Sequence, residues 1–173
     1  MSVAWPTGPY DIVLADPPWE YQGTLDSGSR ATRHYTTMPL EAICDLPVKD
    51  LLARDALIYM WATGPCLTDA ICALNAWGVK YRTIAFVWDK VHLTPGSYTM
   101  SQTELVLVAK RGSIPKPRGT RNERQLHTET RTVHSRKPDA IHAAIERMHP
   151  HARKLELFAR RVRPGWDVWG NEV

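Results

Sequence analysis

The sequence predicts an α/β fold with a mostly parallel central sheet, and three observations favour this class. The chain has 173 residues, 43% of them hydrophobic, which is enough for one sizeable core. Several short apolar runs end abruptly at breaker residues, which is typical of buried strands. Residues 56–88 follow the order strand, helix, strand, which is typical of a parallel crossover unit. We therefore expect one domain over residues 1–173.

The first predicted strand, residues 12–15, is followed at once by Asp16, Pro17, Pro18 and Trp19. Two prolines allow no helical continuation, so the apolar run is predicted to be a short, buried, parallel strand. Asp16 would then lie at the carboxyl end of a strand, where open α/β sheets bind their ligands. The alternative is an ordinary turn, because proline pairs and aspartate are common turn formers.

The same turn predicts a site made of hydrogen-bond acceptors. Neither proline has an N–H group, so the turn offers carbonyl oxygens and the Asp16 carboxylate in a rigid arrangement. Rigid acceptors beside an aromatic ring suit a planar ligand that carries an amino group, with Trp19 stacked on the ligand's ring. A nucleobase fits this description.

The elements between the turn and the middle of the chain follow from composition and periodicity. Residues 20–34 are polar and predict a lid over the site or, alternatively, a disordered insertion. Short helices are expected at residues 39–44 and 48–53, and a buried strand at residues 56–62. Apolar residues at three- and four-residue spacing then predict a crossover helix that ends near Gly78, with a strand at residues 81–88 after it.

The second half of the chain predicts further strands and one more helix. Residues 91–100 are expected to be irregular and residues 104–109 to form a buried strand. Pro138 and Asp139 suit the first turn of a helix. Strands are expected at residues 154–158 and 166–169. Alternation in the first of these predicts two faces, Leu155 with Leu157 and Glu156 with Phe158.

Charge is unevenly distributed along the chain. The formal net charge is +4, but residues 110–137 contain nine basic and two acidic residues, so this segment is strongly positive and the remainder is net acidic. A basic segment rich in loops can follow a phosphate backbone, whereas the alternative is an ordinary solvated surface loop. The residues predicted to contact nucleic acid are Arg111, Lys116, Arg118, Arg121 and Arg124.

The remaining composition excludes several classes. The three cysteines form no Cys-x-x-Cys pair, so neither a disulfide framework nor a zinc site is indicated. The histidines have no ligand spacing, and no metal site is predicted. The sequence shows no signal peptide and no apolar run near the ~18 residues of a membrane span. We expect a soluble, cytoplasmic protein in a reducing compartment.

Six blocks in chain order resemble the amino-methyltransferase family of the eukaryotic messenger-RNA adenosine N6-methyltransferase. Their order is Asp16 to Trp19, Tyr35 to Met38, Gly96 to Tyr98 with Glu104 to Gly112, His134 to Asp139, Lys154 to Phe158, and Trp169 to Asn171. The similarity covers nearly the whole chain. The compact form resembles the bacterial and phage members, which are assigned to DNA.

The resemblance implies a fold, a cofactor and residue roles. The fold would be a Rossmann-like methyltransferase sheet in which the catalytic motif precedes the cofactor strand, with S-adenosylmethionine as methyl donor. Asp16 and the Pro17 carbonyl would hold the exocyclic amine of adenine, within a catalytic motif that includes Pro18 and Trp19. Tyr35 would form a wall of the base pocket beside Trp19. The cofactor residues implied are Asp16, Lys137, Glu156, Phe158, Arg160 and Asn171.

The resemblance leaves alternatives for substrate and assembly. N6-methylation of adenine in DNA is the leading expectation, and adenosine in RNA is the nearer alternative. A catalytically silent nucleic-acid-binding subunit is a second alternative, and a homodimer or a partner subunit is expected by analogy. The chain departs from the family at Ala159, where the family has glycine, and at Glu172, where it has glutamine. The loop after Phe158 is also about two residues shorter.

Overall fold

The computed structural model describes residues 4–20, 37–96, 98–131 and 136–173. Within these ranges the strands form one seven-stranded sheet in the order β5-β3-β4-β2-β1-β6-β7. In chain order the strands are Tyr10–Ala15 (β1), Leu52–Ala62 (β2), Lys80–Thr94 (β3), Ser101–Arg111 (β4), Leu126–Thr128 (β5), Lys154–Leu157 (β6) and Asp167–Trp169 (β7).

The sheet is mostly parallel, as the sequence predicts. Strand β1 pairs in parallel with both β2 and β6, whereas β4 runs antiparallel to its neighbours β2 and β3. The strands other than β4 therefore run in one direction. We call the edge where Ala15, Ala62 and Leu157 end their strands the carboxyl edge, and the opposite edge the amino edge.

Residues 12–15 of β1 are buried on both faces of the sheet, which explains why this run is continuously apolar. Val13 and Ala15 pack into a core shared with the helices Leu40–Cys44 (α1) and Leu67–Ala76 (α2). Ile12 and Leu14 pack into a second core with the helix Asp139–Met148 (α3). Because side chains alternate along a strand, the Asp16 side chain is expected on the face of the sheet that α3 covers.

Most predicted elements are present, with differences at their boundaries. The helix expected at residues 48–53 is a single 3-10 turn, Val48–Leu51, and β2 begins at Leu52. A second 3-10 turn, Gly64–Cys66, precedes α2. The irregular segment expected at residues 91–100 is wrong in part, because β3 continues to Thr94, which pairs with Ser101 of β4. Antiparallel backbone pairing needs no apolar side chains, so the hairpin continues beyond the hydrophobic run.

The remaining expectations concern the basic segment, the lid, membrane spans and the cellular compartment. The short strand β5 pairs with β3 inside the segment expected to be loop. The predicted lid lies almost entirely outside the described residues. No helix in the described ranges is both long and apolar enough to cross a bilayer. The cellular compartment and the domain limits stay predictions.

Candidate active site

The turn after β1 is fixed by three hydrogen bonds. The Trp19 backbone N–H donates to the Pro17 carbonyl at 2.9 Å, and the Met38 backbone N–H donates to the Pro18 carbonyl at 2.9 Å. The Trp19 indole Nε1 donates to the Trp61 carbonyl, at the end of β2, at 3.1 Å. The two proline rings add their own rigidity, so the direction of the Asp16 side chain is fixed by covalent and hydrogen-bonded constraints.

Trp19 is only 8% exposed and packs into the core shared with α1 and α2. The expectation that its ring offers an open stacking face is therefore not matched by the structure. Its indole group instead ties the turn to β2. The sequence could not distinguish these roles, because an aromatic ring beside a turn can be buried beneath it or exposed above it.

Four charged side chains alternate in sign beside the turn. Lys137 Nζ lies 2.9 Å from Asp16 Oδ1 and 3.3 Å from Glu104 Oε2. Lys90 Nζ lies 3.4 Å from the other oxygen of Glu104, Oε1. Each of the four side chains is less than one fifth exposed. Buried charges of this kind are tolerated when they are paired, and here each has a partner of opposite sign.

Burial and pairing shift the pKa values of this group in different directions. Burial raises the pKa of Asp16 above its ordinary value, despite the opposing attraction of Lys137. Burial also opposes ionisation of Glu104, but the attraction of Lys137 and Lys90 outweighs it and lowers the pKa of Glu104. Lys137 is buried too, yet its two carboxylate neighbours raise its pKa and keep it charged. Asp16 is thus the carboxylate of the group that most readily takes a proton.

The ring of Trp61 forms one side of this charged group. Lys137 Nζ lies 5.3 Å from the ring centroid, within the range of a cation–π contact. Trp61 is 2% exposed and belongs to the core on the α3 side. The Lys137 ammonium is therefore held by two carboxylates and an aromatic face.

Glu156 lies on the same face of the sheet as Asp16. It is opposite Leu14 in the pairing of β1 with β6, and its Oε2 lies 3.0 Å from His142 Nε2 on α3. His142 is 3% exposed and its ring packs edge-on against Trp166. The structure thus places Glu156 near Asp16 and gives it a buried partner that the sequence did not suggest.

Phe158 does not share a face with Glu156, so this prediction is wrong. Phe158 has a φ of 62°, a left-handed conformation that reverses the side-chain alternation of β6. Its ring lies 5.6 Å from the ring of Trp169 and packs against the core that contains Leu155 and Leu157. Period-two alternation fails here because the strand ends at Leu157.

Arg160 and Asn171 are brought to the same part of the carboxyl edge. The Ala159 backbone N–H donates to the Trp169 carbonyl at 2.9 Å, which joins the segments after β6 and β7. A Cβ atom on Gly170 would overlap the Ala159 carbonyl oxygen, so this close approach requires glycine. Arg160 Nε lies 3.7 Å from Glu172 Oε1.

Part of the predicted nucleic-acid surface lies at the opposite edge of the sheet. Arg111 ends β4 at the amino edge, where its Nη1 donates to the Lys49 carbonyl at 2.8 Å. Lys116 lines a concavity with Asp11, beside the start of β1. Arg118 precedes Gly119, whose N–H donates to the Met148 carbonyl at the end of α3. Contact of these residues with nucleic acid stays a prediction, but they are not neighbours of Asp16.

The other predicted site residues are less closely placed. Arg121 and Arg124 flank Glu123, whose carboxylate pairs with Arg147 in the last turn of α3 at 2.7 Å. Tyr35 lies outside the described residues. Within the described ranges, no cluster of three or more histidine, cysteine, aspartate or glutamate side chains could hold a metal ion.

Sequence reasoning missed Glu104, Lys90 and Trp61 as neighbours of the turn and His142 as the partner of Glu156. Glu104 carried a usable signal, because it is an acidic residue directly before the apolar run of a buried strand. Since β4 is antiparallel, the start of this strand lies at the carboxyl edge. Strand direction, which the sequence does not state, decides whether such a residue lies at the site.

Comparison with known proteins assigns the family. The model of the MT-A70 family matches residues 10–172. The chain belongs to the MT-A70 family. This confirms the resemblance inferred from the six sequence blocks, and with it the Rossmann-like methyltransferase fold.

Three relatives of the chain illustrate its range of similarity. The Type II methyltransferase M.MunI of Mycoplasma sp. is 42% identical over 185 residues, covering 97% of this chain and 79% of the relative. The N(6)-adenosine-methyltransferase MT-A70-like protein of Arabidopsis thaliana is 31% identical, covering 96% of this chain and 24% of the relative. The human N(6)-adenosine-methyltransferase catalytic subunit METTL3 is 29% identical, covering 96% of this chain and 28% of the relative. The chain spans about a quarter of the length of the latter two.

Proposed function

We infer that this MT-A70 member is an adenine N6-methyltransferase that uses S-adenosylmethionine and acts on DNA. The observation that carries the inference is the position of Asp16, a buried carboxylate at the carboxyl end of β1, held in a rigid turn and paired with Lys137. Membership of the family supports the reaction class. The position of Asp16 supports the role of individual residues in it.

The turn can hold an exocyclic amine by both of its N–H groups. Lys137 contacts Asp16 through Oδ1, and a carboxylate accepts hydrogen bonds at both of its oxygens. The Pro17 carbonyl accepts the Trp19 N–H, which uses one of its two lone pairs. Asp16 Oδ2 and the Pro17 oxygen are therefore suited to the two amine hydrogens.

Orientation and charge would provide the catalysis. The lone pair of the adenine amine is delocalised into the ring, which makes the nitrogen a weak nucleophile. Hydrogen bonds to both amine hydrogens would orient the nitrogen so that its lone pair faces the methyl group of the donor. The S-adenosylmethionine sulfonium supplies an electrophilic methyl group when bound. The amine would become cationic as its new bond to the methyl carbon forms and the bond from that carbon to the donor's sulfur breaks, and the Asp16 carboxylate would stabilise this charge. Because burial raises the pKa of Asp16, its carboxylate is also suited to accept the proton that the amine then loses.

The four charged side chains beside the turn fit the methionine end of S-adenosylmethionine, which carries an ammonium and a carboxylate. These side chains are Asp16, Lys137, Glu104 and Lys90. Asp16 would pair with the ammonium. Lys137 has three N–H donors and two carboxylate contacts, so its third donor would pair with the carboxylate. Arg160 and Asn171, which the contact of Gly170 with Ala159 brings together, would hold the ribose hydroxyls. Glu156 stays a proposed pocket residue, whereas the ring of Phe158 faces the other core.

DNA is favoured over RNA by the degree of similarity. The relative that is 42% identical is a type II methyltransferase, whereas the relatives named for adenosine, including an RNA methyltransferase of Pyricularia oryzae, are 26 to 31% identical. We call Asp16 to Trp19 the acceptor turn. The alternative of a catalytically silent subunit is disfavoured because this turn is complete and the Asp16 carboxylate is buried beside Lys137. A homodimer or a partner subunit stays a prediction.

A methyl-transfer assay with isotopically labelled donor tests the proposal. The substrates are double-stranded DNA, single-stranded DNA and RNA of one sequence composition, and the product is identified as N6-methyladenine by mass spectrometry. Asp16→Asn should reduce turnover by about a hundredfold or more; the protein should remain folded at the assay temperature, with a lower unfolding midpoint because Lys137 keeps only Glu104 as a charged partner. Product on RNA alone would support the RNA alternative.

Asp11→Asn is the matched control, because it makes the same change at the other end of the same strand. Asp11 Oδ2 accepts the Arg153 backbone N–H at 2.8 Å, and an amide oxygen can accept the same bond. This variant should keep near-normal turnover. Near-normal turnover of Asp16→Asn would instead refute the acceptor mechanism, and no product on any substrate would favour the silent subunit.

A further inference from the structure

Three arginines converge on one carboxylate at the carboxyl edge of the sheet. Asp139 Oδ1 accepts hydrogen bonds from Arg161 Nη2 and, at 2.6 Å, from Arg163 Nη2. Arg136 Nη2 lies 3.3 Å from the other oxygen, Oδ2. We call Arg136, Arg161 and Arg163 with Asp139 the arginine cluster. Its members come from the segment before α3, from the start of α3 and from the loop between β6 and β7.

The arginine cluster lies at the same edge as the acceptor turn. Asp139 is two residues from Lys137, whose Nζ is 2.9 Å from Asp16. Arg161 and Arg163 follow β6, whose last residue, Leu157, pairs with Ala15 directly before Asp16. The cluster therefore forms part of the rim around the acceptor turn, on the side of β6.

The cluster carries more positive charge than its own structure requires. Three guanidinium groups share one carboxylate, which leaves two formal positive charges, and residues 158–166 contain no acidic residue. The side chains of Arg136 and Arg161 are 51% and 43% exposed, so both can reach a ligand. Among the residues that the structure describes, Arg163 Nε is buried without a hydrogen-bond partner.

Mutual repulsion is visible at Arg161. Burial lowers the pKa of its guanidinium, and the nearby charges of Arg163 and Arg136 lower it further. An arrangement that served only to stabilise the loop would need a single arginine for this carboxylate. A second anion at the cluster would relieve the repulsion that the surplus arginines create.

We propose that the arginine cluster binds a backbone phosphate of the nucleic-acid strand whose adenine enters the acceptor turn. Guanidinium groups match the oxygens of a phosphate in bidentate geometry. S-adenosylmethionine contains no phosphate, so the donor does not supply this group. This inference rests on the proposed function, because it takes the strand at the acceptor turn to be the substrate. Arg136 belongs to the basic segment of residues 110–137, but Arg161 and Arg163 do not, and the cluster lies at the carboxyl edge, whereas Arg111 of that segment lies at the amino edge.

The test measures binding and its salt dependence with full-length protein. Fluorescence anisotropy with a labelled single-stranded DNA and the corresponding duplex, over a range of NaCl concentrations, gives the affinity and the slope of log affinity against log salt. R136A/R161A should weaken binding on the order of tenfold and reduce the slope by about 0.7 to 0.9 for each phosphate that is no longer neutralised. K80A/R82A removes the same charge from two exposed residues of β3 and should have a much smaller effect.

Asp139→Asn provides a change in the opposite direction. It removes the one negative charge of the cluster with a side chain of nearly the same shape, so phosphate binding predicts tighter nucleic-acid binding by several-fold. If the cluster is only a structural ion-pair network, Asp139→Asn should bind nucleic acid no more tightly than the wild type and should have a lower unfolding midpoint. Absence of tightening in Asp139→Asn, or an unchanged slope in R136A/R161A, would overturn the proposal.

Donor affinity separates the cluster from the cofactor site. Isothermal titration with S-adenosylmethionine should give the same Kd for wild type and R136A/R161A. A weakened Kd for the donor with unchanged DNA binding would assign the arginines to the donor and refute the phosphate site. Wild-type protein that binds DNA through the cluster but transfers no methyl group would keep the phosphate site and would remove both the proposed function and the assignment of the bound strand as substrate.

Discussion

Replacing Lys137 with methionine tests whether its ammonium holds the two carboxylates of the site together. Methionine keeps most of the side-chain length and removes the charge. The ammonium lies 2.9 Å from Asp16 and 3.3 Å from Glu104, which corresponds to Coulomb attractions of about 6 and 5 kcal/mol at an effective dielectric constant of about 20. Desolvation of the ions offsets much of this attraction. The free energy of unfolding should fall by about 3–5 kcal/mol, the usual cost of removing one partner from a buried pair.

The loss should depend on pH in a defined direction. Burial already raises the pKa of Asp16, and Lys137 opposes that rise, so the pKa of Asp16 should rise further in Lys137→Met. A carboxyl group whose pKa is higher in the folded than in the unfolded state stabilises the fold at low pH, and this contribution is lost as the pH rises through the folded pKa. The variant should therefore be closer to wild type at pH 5 than at pH 8.

Urea denaturation followed by tryptophan fluorescence measures both effects. Lys80→Met is the control, because Lys80 is exposed at the start of β3, and its unfolding free energy should stay within about 0.5 kcal/mol of wild type. A loss below about 1 kcal/mol for Lys137→Met would mean that the ion pairs do not stabilise the site. A loss of equal size at pH 5 and pH 8 would contradict the assigned behaviour of Asp16.

Two further predictions concern the surroundings of the site. Gly170→Ala should destabilise the protein by a few kcal/mol and weaken donor binding in titration calorimetry, because its Cβ would overlap the Ala159 carbonyl oxygen; Gly64→Ala, with no atom within 4 Å of its Cβ, is the control and should change neither. Burial lowers the pKa of His149 to about 4, so the wild type should lose stability as the pH falls from 6.5 to 4, by up to about 3 kcal/mol. His149→Gln should lack this part of the loss in denaturation curves at pH 7 and pH 4, and parallel losses in both proteins would refute it.

The sequence predicted the position of the turn after β1 at the carboxyl edge because the signals for it are local. Asp16, the two prolines and the preceding apolar run are contiguous, and a buried strand that stops at breakers leaves its next residue at the carboxyl edge. Lys137 was predicted from the family resemblance, and in the structure its ammonium contacts the Asp16 carboxylate. Glu104 is an acidic residue before an apolar run, but its place beside Asp16 also depends on the antiparallel direction of β4 in a sheet whose other strands are parallel, which the sequence does not state.

The basic segment shows the limit of reading charge along the chain. Residues 110–137 begin at the amino edge with Arg111 and end at the carboxyl edge with Lys137, so a continuous run of positive charge in the sequence is spread over opposite ends of the sheet. The arginine cluster has the reverse property. Arg136 is separated from Arg161 and Arg163 by the whole of α3 and β6, yet the three guanidinium groups share one carboxylate. A charged surface is set by strand order and helix direction, which a count along the sequence does not contain.

Backbone conformation explains how the segment after β6 accommodates Ala159. The resemblance implies glycine at the position of Ala159, but the residue that adopts a left-handed conformation at this point of the chain is Phe158, with a φ of 62°. Ala159 is 1% exposed and its N–H is bonded to Trp169, so its methyl group is accommodated in the core. Glycine is required instead at Gly170, which faces the Ala159 backbone. The close approach of Gly170 to Ala159 joins the segments that carry Arg160 and Asn171, and the loop after β6 places Arg161 and Arg163 against Asp139.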